Sequence, residues 1–322
     1  MIKKLLLIFF CAFSISSNAQ CYTEIVFGGA HTTARKDDGT LWGWGAASYG
    51  NLHTANDTEP SPIQLGSATD WNFVSNGAAN TFAIKNNGTL WGCGSNQLGS
   101  LGVNSNTQSF ASFQQITTAA NWLKVSASLY FTIALKADGT IWGWGQNNMY
   151  QLGNAPATAQ QLFPIQVGTA SDWVDVAAGT DDTAFAIKAN GTIWGWGANP
   201  SSIVVAGSST QSVAIPTQIG TATDWVKISV GGQHILAQKV DGTLWSWGNG
   251  QLMGTGGTTG VTNIPQQIST DVWKNFTTGS NTSFAVKIDG TLWGWGNNAN
   301  GQLADGTSTN RLVPTQIGTD AN

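Results

Sequence analysis

The sequence predicts an all-β protein, a β-propeller of four-stranded antiparallel blades. Three observations carry this: one phrase repeated six times at a near-constant period, four short strand patterns in each copy, and glycine where charge would ordinarily stand. The phrase first reads Asp38-Gly39-Thr40-Leu41-Trp42-Gly43-Trp44-Gly45, and its turn glycine returns at Gly88, Gly139, Gly191, Gly242 and Gly290, in steps of 49, 51, 52, 51 and 48 residues. A period in this range marks solenoids, propellers and arrays. Residues 21–322 therefore read as one domain of six tandem repeats, about 22–70, 71–121, 122–172, 173–224, 225–272 and 273–322. Charged residues make up only 9% of the chain and 40 residues are glycine, a composition suited to tight turns and unsuited to helices, where Gly costs about 1 kcal/mol relative to Ala.

The fifth copy shows the elements in order. Trp225 to Ser229 alternates as a strand does, Gly231-Gly232 makes a turn, and His234 to Lys239 is a second strand. Asp241-Gly242 between apolar runs is a hairpin signal, because a type I′ turn needs positive φ at both central residues. Thr243 to Gly248 follows as the third strand, and Pro265-Gln266-Gln267-Ile268 marks the fourth. Four short antiparallel strands with no helix between them make a propeller blade.

The repeat accounts for all 16 tryptophans. Trp42, Trp91, Trp142, Trp194, Trp245 and Trp293 open the Trp-Gly-Trp-Gly phrase. Trp44, Trp144, Trp196, Trp247 and Trp295 close it, with Cys93 in the second copy. Trp71, Trp122, Trp173, Trp225 and Trp273 start the first strand, with Tyr22 in the first copy. Residues i and i+2 of a strand share a face, so the paired rings point one way and the glycines between them the other. The expectation is that the rings pack between blades against a bare glycine face.

Residues 1–20 read as an export signal: Lys3 and Lys4, an apolar run from Leu5 to Phe13, and small residues at Ser17 and Ala19, with cleavage after Ala19 or Gln20. The run is too short to span a bilayer, so no membrane span is expected, and a secreted or cell-surface location is. Loss of Lys3 and Lys4 leaves 11 Lys+Arg against 17 Asp+Glu, a net charge of −6, with Arg35 and Arg311 the only arginines. That balance lacks the basic patch a phosphate backbone requires and argues against nucleic acid. Export permits a Cys21–Cys93 disulfide; Cys93 as a small core substitute for Trp is the other reading.

Gly-Gly-x-His, an apolar strand, Lys-x-Asp-Gly-Thr-Leu-Trp-Gly-Trp-Gly, then Gly-Gln-Leu and Pro-x-Gln-Ile, best seen over 225–268 and 273–318, resemble the repeat of the regulator of chromosome condensation family. The resemblance implies a propeller, usually of seven blades. Six copies are visible here, and the internal register places a Trp directly after Asn322, so closure with six blades and a longer chain both stay open. The fourth copy lacks the Gln-Leu pair found at Gln97-Leu98, Gln151-Leu152, Gln251-Leu252 and Gln302-Leu303. The resemblance also implies varied roles, from guanine-nucleotide exchange on chromatin to a secreted inhibitor of β-lactamases.

Catalytic chemistry is not expected. Of three histidines, His31 and His234 share a repeat position that elsewhere holds Asn80, Phe131, Thr183 and Thr282, which no metal site would accept; no cofactor or metal is implied. The Asp-Gly hairpins share one face with six equivalent lysines, Lys36, Lys85, Lys136, Lys188, Lys239 and Lys287, read as a solvated ring of weak ion pairs. The opposite face carries long variable loops of 16–18 residues before each proline position. The expected function is a non-catalytic scaffold that recognises a protein partner through this face, with Tyr49, His53, Met149, Tyr150, Met253, Asp181 and Asp182 as candidate binding residues. The alternative is a carbohydrate-binding propeller.

Overall fold

The computed structural model describes residues 21–154, 158–200, 203–204 and 210–319. The expected export signal and Asp320-Ala321-Asn322 lie outside the described residues. Six four-stranded sheets follow one another along the chain, each antiparallel and ordered as its strands occur in sequence. Blade five is typical, with strands Trp225–Val230, His234–Lys239, Leu244–Asn249 and Val261–Gln267. The first strands of successive blades touch one another, so they line the axis and the fourth strands form the rim. Among the described residues no helix is long and apolar enough to cross a membrane.

The rim strands begin ahead of their prolines, as in Ser212–Ile219 around Pro216. The segments between third and fourth strands therefore run 11 to 14 residues rather than 16–18. A proline is tolerated there because a rim strand need not donate on its outer side. The register also shifts between Gly43 and Gly45 and at each equivalent pair. Gly45 sits at φ +103° at that bulge, its place for a Cβ already taken by the Ala30 carbonyl, so only glycine fits.

The blade joints explain the tryptophans. Trp144, Trp196, Trp247 and Trp295 are fully buried, and three reach back to the preceding blade: Trp144 Nε1 donates to the Ser100 carbonyl (2.9 Å), Trp196 to Gln151 (2.9 Å) and Trp247 to Ile203 (3.2 Å). Cys93 takes the same place, its Sγ 3.5 Å from the Asn51 carbonyl. It is a buried thiol rather than one end of a disulfide, and burial pushes it up to about 12.

The glycine face is filled differently from expectation. A Cβ on Gly43 would strike Leu52, on Gly92 Leu101, and on Gly143 Leu152, all from the blade's own loop. Those leucines, rather than the neighbouring rings, cover the glycines. Leu152 lies in one buried cluster with Trp173 and Trp196 of the next blade. Val204 fills the place in blade four, the copy without a Gln-Leu pair. An asparagine fixes four of the six loops: Leu101, Leu152, Val204 and Leu303 donate their N–H groups to Asn96, Asn147, Asn199 and Asn298. Leu101 is thus the counterpart of Leu152, and Gln97-Leu98 is not a core pair. In blade five Met253 takes the leucine position next to Gly254, which lies under Trp295 as Gly153 lies under Trp196.

The six opening tryptophans are only half-buried, less covered than rings expected to pack between blades. Each is held by a relay at its hairpin. Asp38 accepts from Thr40 N–H and Oγ1, and Thr40 Oγ1 accepts from Trp42 Nε1 at 2.9 Å. The same relay recurs through Asn87, Asp138, Asn190, Asp241 and Asp289. Each relay lysine lies over the rings: Lys36 is 3.7 Å from the Trp42 centroid, Lys136 3.8 Å from Trp142 and Lys287 3.9 Å from Trp293. Lys85, Lys188, Lys239 and Lys287 also pair with Asp70, Asp172, Asp224 and Asp271 at 3.0–3.2 Å. The lysine ring is therefore a set of largely covered caps on aromatic pairs, not a solvated ring.

Candidate functional site

The loops between third and fourth strands emerge on the face opposite the hairpins, and their frame is the same in blades one to three. A buried leucine (Leu52, Leu101, Leu152) anchors each loop from below. Two residues before it stands a residue with positive φ, and one residue earlier comes the tip. The tips are Tyr49, Leu98 and Met149, and all three are exposed. Blade six has Asn300 at this position. Three successive blades thus raise apolar side chains from equivalent points on one face.

Tyr150 stands where blades one, two and six have Gly50, Gly99 and Gly301, at φ +61° against +76°, +77° and +71°. A bulky residue is uncommon there. The loop holds it through Gln151, whose buried Oε1 accepts the Met149 N–H at 2.8 Å and whose Nε2 donates to Asn148 Oδ1 at 3.3 Å.

The turn between first and second strands of blade three reads Ser128-Leu129-Tyr130, where blade five has Gly231-Gly232-Gln233. Leu129 is exposed. Tyr130 lines a cleft of about 530 Å³ with Leu98, Gln97, Asn106, Gln146 and Gln160, between the loops of blades two and three. No charged residue lines it.

The equivalent turn of blade four brings Asp181 and Asp182 to the edge of this patch. Gln146 Nε2 donates to Asp182 Oδ2 at 3.4 Å, and Asp182 has φ +59°. Burial raises both carboxyls above the usual carboxylate range; the charge of Asp182 adds to the rise at Asp181, and a hydrogen bond from Gln151 opposes the rise at Asp182.

Met149, Tyr150, Asp181 and Asp182 accordingly meet around Gln146 and Gln151, and Tyr49 stands on the same face at blade one. Two candidates fall elsewhere. Met253 is buried because it fills the leucine position of its blade, so a partner cannot reach it. His53 Nδ1 accepts the Phe113 N–H at 3.2 Å and its ring stacks on Phe113 at 5.5 Å, which fastens blade one to blade two. Leu98, Leu129 and Tyr130 complete the patch without having been singled out. Leu98 is masked by its resemblance to a core Gln-Leu pair. Leu129-Tyr130 is visible in sequence as a bulky pair in a turn that is otherwise small.

The axis holds a second polar group. Lys124 pairs with the mostly buried Asp175, which also accepts the Ile228 N–H at 3.0 Å, and Lys227 donates to Asn275. These bonds join the inner strands of blades three to six.

Six four-stranded sheets around an axis, with variable loops on one face, define a β-propeller. The chain belongs to the RCC1-like domain family, whose description matches residues 11–322. Human E3 ubiquitin-protein ligase HERC2 (Homo sapiens) is 30% identical over 132 residues, 39% of this chain and 3% of that protein. The ultraviolet-B receptor UVR8 of Arabidopsis thaliana is 25% identical over 234 residues, 71% of this chain and 42% of that protein. The chain spans less than half the length of these curated relatives. The crystal structure of human WBSCR16 superposes with a TM-score of 0.84 at 18% identity, covering 94% of this chain and 82% of that one. Yeast RCC1 (Prp20), solved bound to Kap60, gives 0.80 at 20% identity, covering 92% and 75%. At these identities the likeness shows the fold.

Proposed function

We propose that this protein is an exported, non-catalytic scaffold that binds a protein partner through the loop face of blades one to three. The observation that carries this is the row of apolar tips, Tyr49, Leu98 and Met149, raised from equivalent positions with Leu129 and Tyr130 beside them. Apolar and aromatic side chains on a rigid frame supply contact area at little desolvation cost. The Asp181–Asp182 pair at the edge suits a partner with a basic group beside its apolar patch. Export rests on the Lys3-Lys4 and Leu5–Phe13 pattern; N-terminal sequencing of protein recovered outside the cytoplasm should begin at Gln20 or Cys21.

The test uses photo-crosslinking residues placed at 98 and 149, followed by affinity measurement on the captured protein. Tyr49→Ala or Leu98→Ser should each weaken binding by roughly tenfold or more, about 1.4–2 kcal/mol. Val240→Ser, on the exposed hairpin face, should bind as the parent does. Loss at Val240 with the tip variants unaffected would place recognition on the other face. A second reading, a neutral carbohydrate, is favoured by the uncharged amide-lined cleft; glycan-array binding that Gln146→Ala abolishes and Tyr49→Ala spares would support it instead.

A further inference from the structure

The second residue of the inner strand is the extra member of a β-bulge. In blade three Trp122 pairs with Lys136 and Lys124 with Leu135, which leaves Leu123 unpaired, and the register skips in the same way past Val174, Val226 and Lys274 in blades four, five and six. A bulge re-aims the side chain of its unpaired residue. Leu123 is 56% exposed, Val174 50% and Val226 48%, and Lys274 is exposed too. The inner strands start beside the hairpins, since Trp173, Trp225 and Trp273 donate their N–H groups to the carbonyls of Gly139, Gly191 and Gly242 at 3.0–3.1 Å. Three aliphatic side chains and one ammonium group therefore stand in a row at the hairpin-side mouth of the axis.

Charge at this mouth is uneven. Among the described residues every lysine and arginine but two either lies over a tryptophan of its hairpin or pairs with a carboxylate. The two are Lys227 and Lys274, on the inner strands of adjacent blades. The half-buried Lys227 has three N–H donors; one goes to Asn275 Oδ1, and the ammonium lies 5.0 Å from the Phe276 ring. Asp175, on the inner strand before it, is already engaged: it pairs with Lys124 and accepts the N–H groups of Val176 and Ile228, both at 3.0 Å. Burial, and after it the charge of Lys124, holds Lys227 below the ordinary lysine range, with Asp175 opposing. A cation drawn out of water without a carboxylate of its own is stabilised by an anion brought to it.

We propose that the hairpin-side mouth of the axis is a binding site for a small aliphatic monocarboxylate. The carboxylate lies between the ammonium groups of Lys227 and Lys274, and the tail runs over Val226 and Val174 toward Leu123. The ligand's one negative charge matches the cations that lack a carboxylate, and its chain matches the row of aliphatic side chains. That row is three side chains long, short of the about 800 Å² that each side of a stable protein interface buries. The site is on the face opposite the variable loops and does not depend on them.

The experiment titrates the protein with hexanoate, followed by calorimetry and by the methyl chemical shifts of its Leu and Val residues. Binding should saturate, with the largest shifts at Leu123, Val174 and Val226. Affinity should rise roughly three- to fourfold for each CH₂ from butyrate to hexanoate, and hexanol should bind about tenfold more weakly than hexanoate or worse. Lys227→Gln should weaken hexanoate by about tenfold, and Lys227→Arg should keep most of the affinity. Val226→Ser, which leaves every charge in place, should remove most of the gain from butyrate to hexanoate. Absence of saturable binding would overturn the proposal, as would binding that Lys227→Gln and Val226→Ser both leave unchanged in protein that unfolds at the parent midpoint. Equal affinity for acetate and hexanoate would show an adventitious ion only. A peptide with an aliphatic C-terminal residue that binds about tenfold more tightly than hexanoate, and fails to bind when amidated, would assign the mouth to a protein terminus instead.

Discussion

At the residue scale, one side-chain type has two roles set by where the chain folds it. Trp144 is fully buried between blades and hydrogen-bonded, whereas Trp44 has the same place in its repeat and is only partly buried. Trp144→Ala should cost about 3–5 kcal/mol in denaturant unfolding, and Trp44→Ala less than half of that; equal costs would contradict the joint argument. His31 and His234 cross the joints, with Nε2 3.1 Å from Thr81 Oγ1 and 2.7 Å from Ser283 Oγ. Burial holds both at about 4 against an ordinary 6.5; hydrogen bonds at Asn76 and Asn80 partly oppose this at His31. The unfolded chain takes up these protons below about pH 6.5, and the folded protein refuses them until about pH 4. Stability should therefore fall as pH drops through that window and level off below it, by roughly 3 kcal/mol per histidine at most. Comparison of the parent with His234→Gln at pH 7 and pH 4.5 isolates one of them: the variant should lose less on acidification.

At the element scale, the hairpin is the unit that repeats most faithfully, and its chemistry explains the faithfulness. The turn Asp or Asn orders the Thr, the Thr orders the indole, and the lysine closes over the rings. Lys239→Gln should destabilise by about 1 kcal/mol, within the range for a cation over an aromatic face. Lys239→Met, which keeps the stem, should recover only the part due to packing; thermal unfolding of both variants separates the two contributions. The hairpins, the strand order and the placement of the tryptophans were legible in the sequence because they follow from period-two alternation and turn residues. Leu101 was not legible. It and Leu98 are both leucines in one short loop, and only the Asn96 bond to the Leu101 N–H decides which of them enters the core. The rim strands were missed at their starts because a proline marks a strand's permitted position there and not its first residue.

At the scale of the whole molecule, the face on which the variable loops emerge could be read from the sequence, since antiparallel strands must send successive turns to alternate sides. The composition of the site could not. Tyr49, Met149 and Tyr150 stood out as large residues in variable loops, but whether a loop residue points out or in depends on deletions that shift it. Two residues fewer in the fifth loop turn Met253 inward. Tyr150→Gly should relieve its positive φ and stabilise the fold by about 1 kcal/mol in denaturant unfolding, while weakening partner binding; a variant both more stable and equally tight would show that Tyr150 has no part in recognition.

The exposure of Ile25 in blade one and of Leu292 in blade six, at positions that Val74 and Leu90 fill as buried residues in blade two, has a consequence for how the molecule comes apart. Repeat units are held mainly by their neighbours, and these two strands are the less covered. Local opening should then begin at the two terminal blades and move inward. Amide hydrogen exchange under native conditions should be faster in Tyr22–Phe27 than in Trp122–Ala127, and faster in Leu292–Gly296 than in Ile141–Gln146, the equivalent strands of blade three.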